Sequence, residues 1–370
     1  MGLFSGFKKK KNEKDELQER GNSAEKFEDP GFRAILKQFA KAYPDQDGEF
    51  FGTMVSYRLG GKDPLDYVVV FKSEEGIPNW HYVTCGFSDL YAKEGKNEEL
   101  SRFGFELTFR LERKEEKPPV WPINFLQNLA RYVFQTGNVF EPSQHMDING
   151  PIALEENTKL VALGFDRDPL FGSINTPNGR VDFIQVIALT MDEMDSMMLW
   201  DGSKFLSLYR RYDPFGIAVL SRESLLDKED FKKELNEVIE RDGPSTGVFY
   251  VSDVNFEVGE YNGMKLAILT MGAGSVSKIT AMVKARLSKG RKFYLQDEKL
   301  AIAFVMAEKC GFGKESDDFG VIQLNEKALE EFVAIEPHVG KTPLRSMPLF
   351  INVEKTEIRD SRGNIISVVE

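Results

Sequence analysis

The chain is poor in the residues that stapled or metal-built folds depend on. It has two cysteines, Cys85 and Cys310, and three histidines in 370 residues. Two thiols expected in different domains fit a reducing, cytosolic setting better than a disulfide framework. No run of about 18 apolar residues occurs, so no membrane-spanning helix is expected. The opening MGLFSGFKKKKNEKDE has its lysines after a short apolar patch rather than before it, and does not read as a secretory signal. Gly6 stands where a myristoylation motif needs Ser or Thr. There is no G-x-x-x-x-G-K-[ST], no G-x-S-x-G and no H-E-x-x-H. Basic residues are short as well, 48 against 59 acids, for a formal net charge of -11. That balance disfavours nucleic acid as a ligand and favours a basic partner.

What is present is a soluble, globular composition, 41% hydrophobic and 29% charged, long enough for two cores. The stretch from Pro118 to Asp201 organises the rest. Pro122 suits a first helical turn, Phe125, Leu126, Leu129, Ala130, Tyr132 and Val133 recur at helical spacing, and Gly137 is a stop. Val181–Leu189 is β-branched and apolar, a buried strand. Thr190-Met191-Asp192-Glu193 has the form of a capping box opening a second helix. Between them lies a long segment read as an irregular loop. From Gly137 to Asp201 eleven acids face only Lys159, Arg167 and Arg180. Its embedded apolar residues argue against disorder, so it is expected to be an ordered surface that something binds. Glu155, Glu156, Asp166 and Asp168 are its candidate contacts for a basic partner.

Along the chain, residues 1–28 read as a disordered charged tail. Asp29-Pro30 is expected to cap a first helix, with strands following at Phe51–Tyr57, Tyr67–Phe71, Trp80–Cys85 and Phe103–Leu111, punctuated by glycines and by the polar Ala92–Asn97 region. A helix carrying Phe231 and Leu235 stops at Gly243-Pro244, where the domain boundary is placed. Beyond it come strands at Gly247–Phe256, Met264–Thr270, Ala301–Met306 and Gly320–Leu324, with a helix or extended run over Ile279–Leu287. A short helix near Lys327 and two terminal strands around an Asp360–Gly363 turn complete it. The expected class is α+β, two domains (29–243 and 244–370), each a mostly antiparallel or mixed sheet with packed helices.

Three places in the sequence have residues that chemistry could use. His145 near Asp147, Asp166 and Asp168 allows a metal site, but a hydrogen-bonded structural histidine is the commoner outcome. Asp192 and Asp195 share a helical face, yet carboxylates in a first turn also answer the helix dipole. Gly272-Ala273-Gly274-Ser275 reads as a tight turn, lacking the third glycine of a dinucleotide loop. No nucleophile, base and oxyanion site assembles, so neither an enzyme nor a cofactor is expected.

LGGKDPLDYV (59–68), WHYVTCGFSDLY (80–91), FGFELTFRL (103–111) and WPINFLQNLARYVFQTGNVF (121–140) resemble the suppressor-of-fused family. The likeness continues, more faintly, in KARLSKGRKFYLQDEKLAIAFV (284–305) and VIQLNEKALEEFV (321–333). The resemblance implies a two-domain, non-catalytic α+β protein that holds a partner peptide as an extended strand in a cleft between its domains. Through the LARYVFQ string it marks Tyr132 as a partner contact. Phe140, Gln144 and His145 would form one wall, and the segment Ile279–Val283 the other. Where the family has an acid before the loop histidine, this chain has Gln144, which removes a charge that would meet a basic residue of a Gli-type ligand. Taken as bacterial, on the look of MGLFSGFKKKK, the chain would be an antitoxin or immunity protein neutralising a basic toxin. The alternative is a regulator that sequesters a transcription factor. An uncharacterised hydrolase comes third.

Overall fold

The computed structural model describes residues 29–55, 57–92, 99–359 and 365–370. The expected charged tail, most of the Ala92–Asn97 region and the Asp360–Gly363 turn lie outside the described residues.

The chain opens with α1 (Pro30–Ala42), followed by β1 (Glu49–Gly52), β2 (Tyr67–Ser73), β3 (Asn79–Cys85) and β4 (Leu100–Glu112). Next come α2 (Trp121–Thr136), β5 (His145–Asp147), β6 (Leu160–Arg167), β7 (Ser173–Thr176) and β8 (Gly179–Thr190). Two short helices, α3 (Met191–Met198) and α4 (Gly202–Tyr209), lead to β9 (Ile217–Ala218) and α5 (Glu229–Asp242). The remainder starts with β10 (Val248–Tyr250), β11 (Val254–Tyr261), β12 (Met264–Gly272) and α6 (Ala273–Leu287). It continues through β13 (Phe293–Gln296), β14 (Ala301–Met306), β15 (Gly311–Ser316), β16 (Phe319–Leu324) and α7 (Glu326–Val333). The last strands are β17 (Gly340–Pro343), β18 (Leu349–Glu354), β19 (Thr356–Arg359) and β20 (Ile365–Val369). The architecture is α+β with mixed sheets.

Two compact units emerge. The first holds the described residues up to Pro142, with Phe165–Ile187 and Phe215–Ala218; the second holds Ser143–Gly164, Ala188–Pro214 and Val219–Glu370. Both sides of Gly243-Pro244 fall in the second unit, where Arg286 Nη1 donates to the Pro244 carbonyl at 2.8 Å.

In the first unit β1 to β4 are neighbours in order, all antiparallel, and β4 then pairs in parallel with β8 and β9. Every residue of β3 is buried, so this strand is covered on both faces. Ile35 and Phe39 of α1 pack on Val69, Phe71, Val83 and Phe183. Asp29 does not cap α1 through its side chain as the sequence suggests; its carboxylate pairs with Arg33 four residues on.

The second unit contains a five-stranded sheet ordered β10-β13-β14-β16-β15 and a four-stranded sheet ordered β11-β12-β18-β17. Parallel pairs β14–β16 and β12–β18 sit inside them. The helix α6 packs Val276, Ile279 and Val283 into their common core with Phe256, Leu269 and Phe304. The expected tight turn at Gly272–Ser275 is instead the start of α6. Its glycines serve close approach: a Cβ on Gly272 would stand 2.4 Å from Thr356 Oγ1, which accepts from Gly274 N. Cys85 and Cys310 are free thiols, and among the described residues no helix is long and apolar enough to cross a membrane.

Candidate partner-binding site

Helix α2 forms because Leu126, Leu129, Ala130 and Val133 fall on one buried face, with Pro122 in the first turn. Gly137 ends it in the left-handed conformation, its N–H donating to Val133 O at 2.8 Å. Gln127 fixes the helix by exchanging two 3.2 Å hydrogen bonds with the backbone of Leu65. Those anchors leave Tyr132 on the open side of the last turns, 36% exposed. One face of its ring lies on Phe140, centroids 5.9 Å apart at 20°. Phe140 in turn stacks on Phe165 at 4.3 Å and 10°. Asn138 Nδ2 donates to the Tyr132 hydroxyl at 3.1 Å. The ring is therefore held from below and at its tip, with an amphipathic face free for a ligand.

Phe140 itself is 4% exposed, so it supports Tyr132 rather than presenting a wall. Gln144 and His145 are exposed. His145 belongs to β5, opposite Gly164 of β6. Crowding around its ring, and then the charge of Lys278, lower its pKa below the ordinary value.

In the second unit a cavity of about 230 Å³ is lined by Asp195, Met198, Leu199, Ser277, Lys278 and Met282, together with Ala281. Lys278 Nζ lies 3.3 Å from Asp147 Oδ2 and 3.8 Å from Asp195 Oδ1, and donates toward Met191 Sδ at 3.7 Å. Desolvation raises the Asp195 carboxyl despite the nearby lysine. The pocket thus combines an apolar floor with one cation shared by two carboxylates. Ile279 and Val283, marked from sequence as contacts, are both fully buried in the core. The segment lines a cavity, but through Lys278, Ala281 and Met282; the marked pair points about a quarter-turn away into the sheet.

The acidic stretch is less free than its composition suggests. Asp168 is only 1% exposed: its Oδ2 accepts from Thr108 Oγ1 at 2.9 Å and lies 3.2 Å from His81 Nε2. Its other oxygen accepts from the N–H groups of Leu170 and Phe171. It is an interior residue, not a contact for a partner. Glu193 closes the capping box on Thr190 N at 2.9 Å and grips Arg222 with both oxygens. Asp166 is half-buried and accepts from Arg167 N, whereas Glu155 and Glu156 are exposed beside Leu154. Among the described residues no group of three or more His, Cys, Asp or Glu is placed to hold a metal ion.

Sequence reasoning passed over the buried polar network on β3 and β4. Tyr43 Oη and His81 Nδ1 share a 2.7 Å hydrogen bond, and Arg110 Nη1 donates to Ser73 Oγ and Asn79 Oδ1 at 3.2 and 3.3 Å. The cross-strand register sets His81 directly opposite Arg110. The signal available was polar residues at positions of a strand whose neighbours were all apolar.

Comparison with known proteins gives these surfaces a context. The family model described as Suppressor of fused protein matches residues 61–223. The human suppressor of fused homolog is 38% identical over 193 residues, covering 49% of this chain and 40% of that protein. A chain of the Sufu-Fu complex crystal structure is 31% identical with a TM-score of 0.54, and is covered over 98% of its length by 57% of this chain. The chain belongs to the suppressor of fused family. The crystal structure of Drosophila Suppressor of Fused, at 21% identity, has the same fold, with a TM-score of 0.69 over 89% of this chain and 99% of that one. The match to the human homolog spans two-fifths of that curated suppressor of fused relative's length. Tyr132, Gln144 and His145 lie within the residues matched to the suppressor of fused family, while Lys278 and Met282 lie beyond them.

Proposed function

We propose that this chain is a non-enzymatic module that holds a partner protein, acting as a regulator of suppressor-of-fused type in the cytosol. The observation that carries the reading is Tyr132: an exposed, pre-positioned aromatic at the position where the family resemblance expects a partner contact. Ordering such a ring in advance removes part of the entropic cost of association. A relative captured with Fu supports a protein as the ligand class. Tyr132 of the first unit and the Lys278 pocket of the second are each proposed as a contact surface for that partner. An immunity role against a basic toxin rests on the acidic stretch alone. That stretch has much of its charge engaged internally, and the comparisons favour the regulator. The test is capture with the full chain as bait in its native host, followed by the same capture with Tyr132→Ala and with Lys278→Glu. The reading expects one protein species that both substitutions deplete. Recovery of a partner indifferent to both changes would refute it.

A further inference from the structure

One stretch of this acidic chain carries no acid at all. Of its 59 Asp and Glu residues, none falls between Glu260 and Asp297, an interval that holds seven lysines and arginines. Five of these, Lys284, Arg286, Lys289, Arg291 and Lys292, crowd the C-terminal end of α6 and the turn after it, within the second unit. Cations in a last helical turn answer the helix dipole, and that accounts for Lys284 and Arg286. It does not account for Lys289, Arg291 and Lys292, which lie beyond the helix end and are exposed.

The turn gathers these charges instead of spacing them. Gly290 takes the left-handed conformation at φ 66°, and the N–H of Arg291 donates back to Arg286 O at 3.1 Å. Arg286 Nε donates to Lys292 O at 3.0 Å and its Nη1 to Pro244 O at 2.8 Å. Arg291 Nη1 reaches the same Pro244 carbonyl at 3.4 Å. Two guanidiniums are thus held on one carbonyl, and burial, then the charge of Arg291, lower the Arg286 pKa. Lys278, earlier on α6, is shared by Asp147 and Asp195. By contrast, no carboxylate among the described residues comes within 4.0 Å of the cationic nitrogens of these five. Like charges gathered without counter-ions repel one another, a cost that a bound anion removes.

We propose that this turn docks a carboxylate-rich segment of a partner protein. The proposal rests on the functional reading only for the ligand being a protein, and it does not use Tyr132. Charge complementarity gives the sign of the segment, and the exposed Arg291 offers the fork that suits a carboxylate. The surroundings give its size. Screening confines the attraction of the patch to about 8 Å at physiological ionic strength. The whole chain carries a formal charge of -11. A short acidic segment therefore meets the turn alone, whereas a long polyanion or an anionic bilayer meets the surrounding acids as well.

The experiment titrates a fluorescein-labelled deca-glutamate peptide with the full chain at low salt, read by fluorescence anisotropy. Lys289→Glu with Arg291→Glu and Lys292→Glu should weaken binding about tenfold or more. Lys232→Glu with Lys233→Glu and Lys309→Glu, at exposed positions of the same unit, makes the same change in net charge and should weaken it less than about threefold. Equal losses overturn the proposal, because they make the attraction one of net charge. So does a parent chain that fails to bind the peptide. Tighter binding of a uridine decamer, or of vesicles containing phosphatidylserine, overturns it by assigning the turn to nucleic acid or to a membrane. Thermal melts check the fold. If the triple reversal melts early, Lys289→Gln with Arg291→Gln takes its place, with a loss of about threefold expected and unchanged affinity overturning the proposal. None of these outcomes bears on Tyr132→Ala, so failure here leaves the functional reading standing.

Discussion

His81 Nε2 lies 3.2 Å from Asp168 Oδ2 in the interior of the first unit, and neither side chain reaches solvent. Burial, and then the neighbouring Arg110, lower the His81 pKa to about 4. Against the cost of burial, His81 and Arg110 hold the Asp168 carboxyl well below the usual range. The pair is therefore a neutral imidazole against a carboxylate at neutral pH, with the Tyr43 hydroxyl on the other ring nitrogen.

A pH dependence follows. The unfolded chain protonates His81 near 6.5, while the folded chain resists until about 4. Stability from this group is complete above the unfolded value and is lost as pH falls through that window. Urea unfolding should give a stability lower by about 2 kcal/mol at pH 5 than at pH 7 from this group. His81→Gln should show a correspondingly smaller drop. An identical drop in both proteins would show that His81 does not titrate between these states.

Glu106 makes a second prediction from the interior. Its buried carboxylate accepts from Thr84 Oγ1, Ser88 Oγ and the N–H groups of Gly86, Phe87 and Ser88. Burial pushes its pKa up, while those hydrogen bonds pull it down. A glutamine cannot accept from all five, and turns an NH₂ toward donors. Glu106→Gln should cost about 3 kcal/mol, read as a lower melting temperature, and Ser88→Ala less. A melt indistinguishable from the parent's would contradict this.

How far the sequence led depended on whether a local pattern was decisive. Helix α2 was legible because apolar spacing, an early proline and a terminal glycine all agreed. The capping box at Thr190–Glu193 was legible for the same reason. By contrast, β5, β6 and β7 were hidden inside what read as an acidic loop, because Leu160–Phe165 is a short apolar run interrupted by Gly164 and flanked by charge. Residues 53–55 read as a strand because Thr53 and Val55 are β-branched, but β1 ends at Gly52. Asp168 looked like a surface acid because its partners, His81 and Thr108, are far away in sequence. Ile279 and Val283 were marked through the family resemblance alone; in the helix α6 it is Lys278 and Met282 that turn to the pocket.

The boundary read at Gly243-Pro244 is open to a direct check. Both residues are buried and Arg286 holds the Pro244 carbonyl, so limited proteolysis should spare this peptide in the native chain. Early cleavage there into two stable fragments would favour the sequence-based division.

Charge offers a kinetic test. Reversing the exposed Glu155 and Glu156 to lysine should slow association with a captured basic partner and flatten its salt dependence, since screening acts over about 8 Å at physiological ionic strength. Reversing Asp168 should instead lower the melting temperature. An association rate independent of salt would make the acids a solvating face only.

The most direct test of the account is the affinity of Tyr132→Ala for the captured partner, measured by calorimetry beside a thermal melt. Truncating an aromatic anchor commonly costs about 2 kcal/mol, roughly thirtyfold in Kd. Because one face of the ring is already outside the core, the melt should stay near the parent's, whereas Leu129→Ala should lower it. The account predicts weakened binding with an intact fold. Unchanged affinity with an unchanged melt would contradict it and put the binding surface elsewhere.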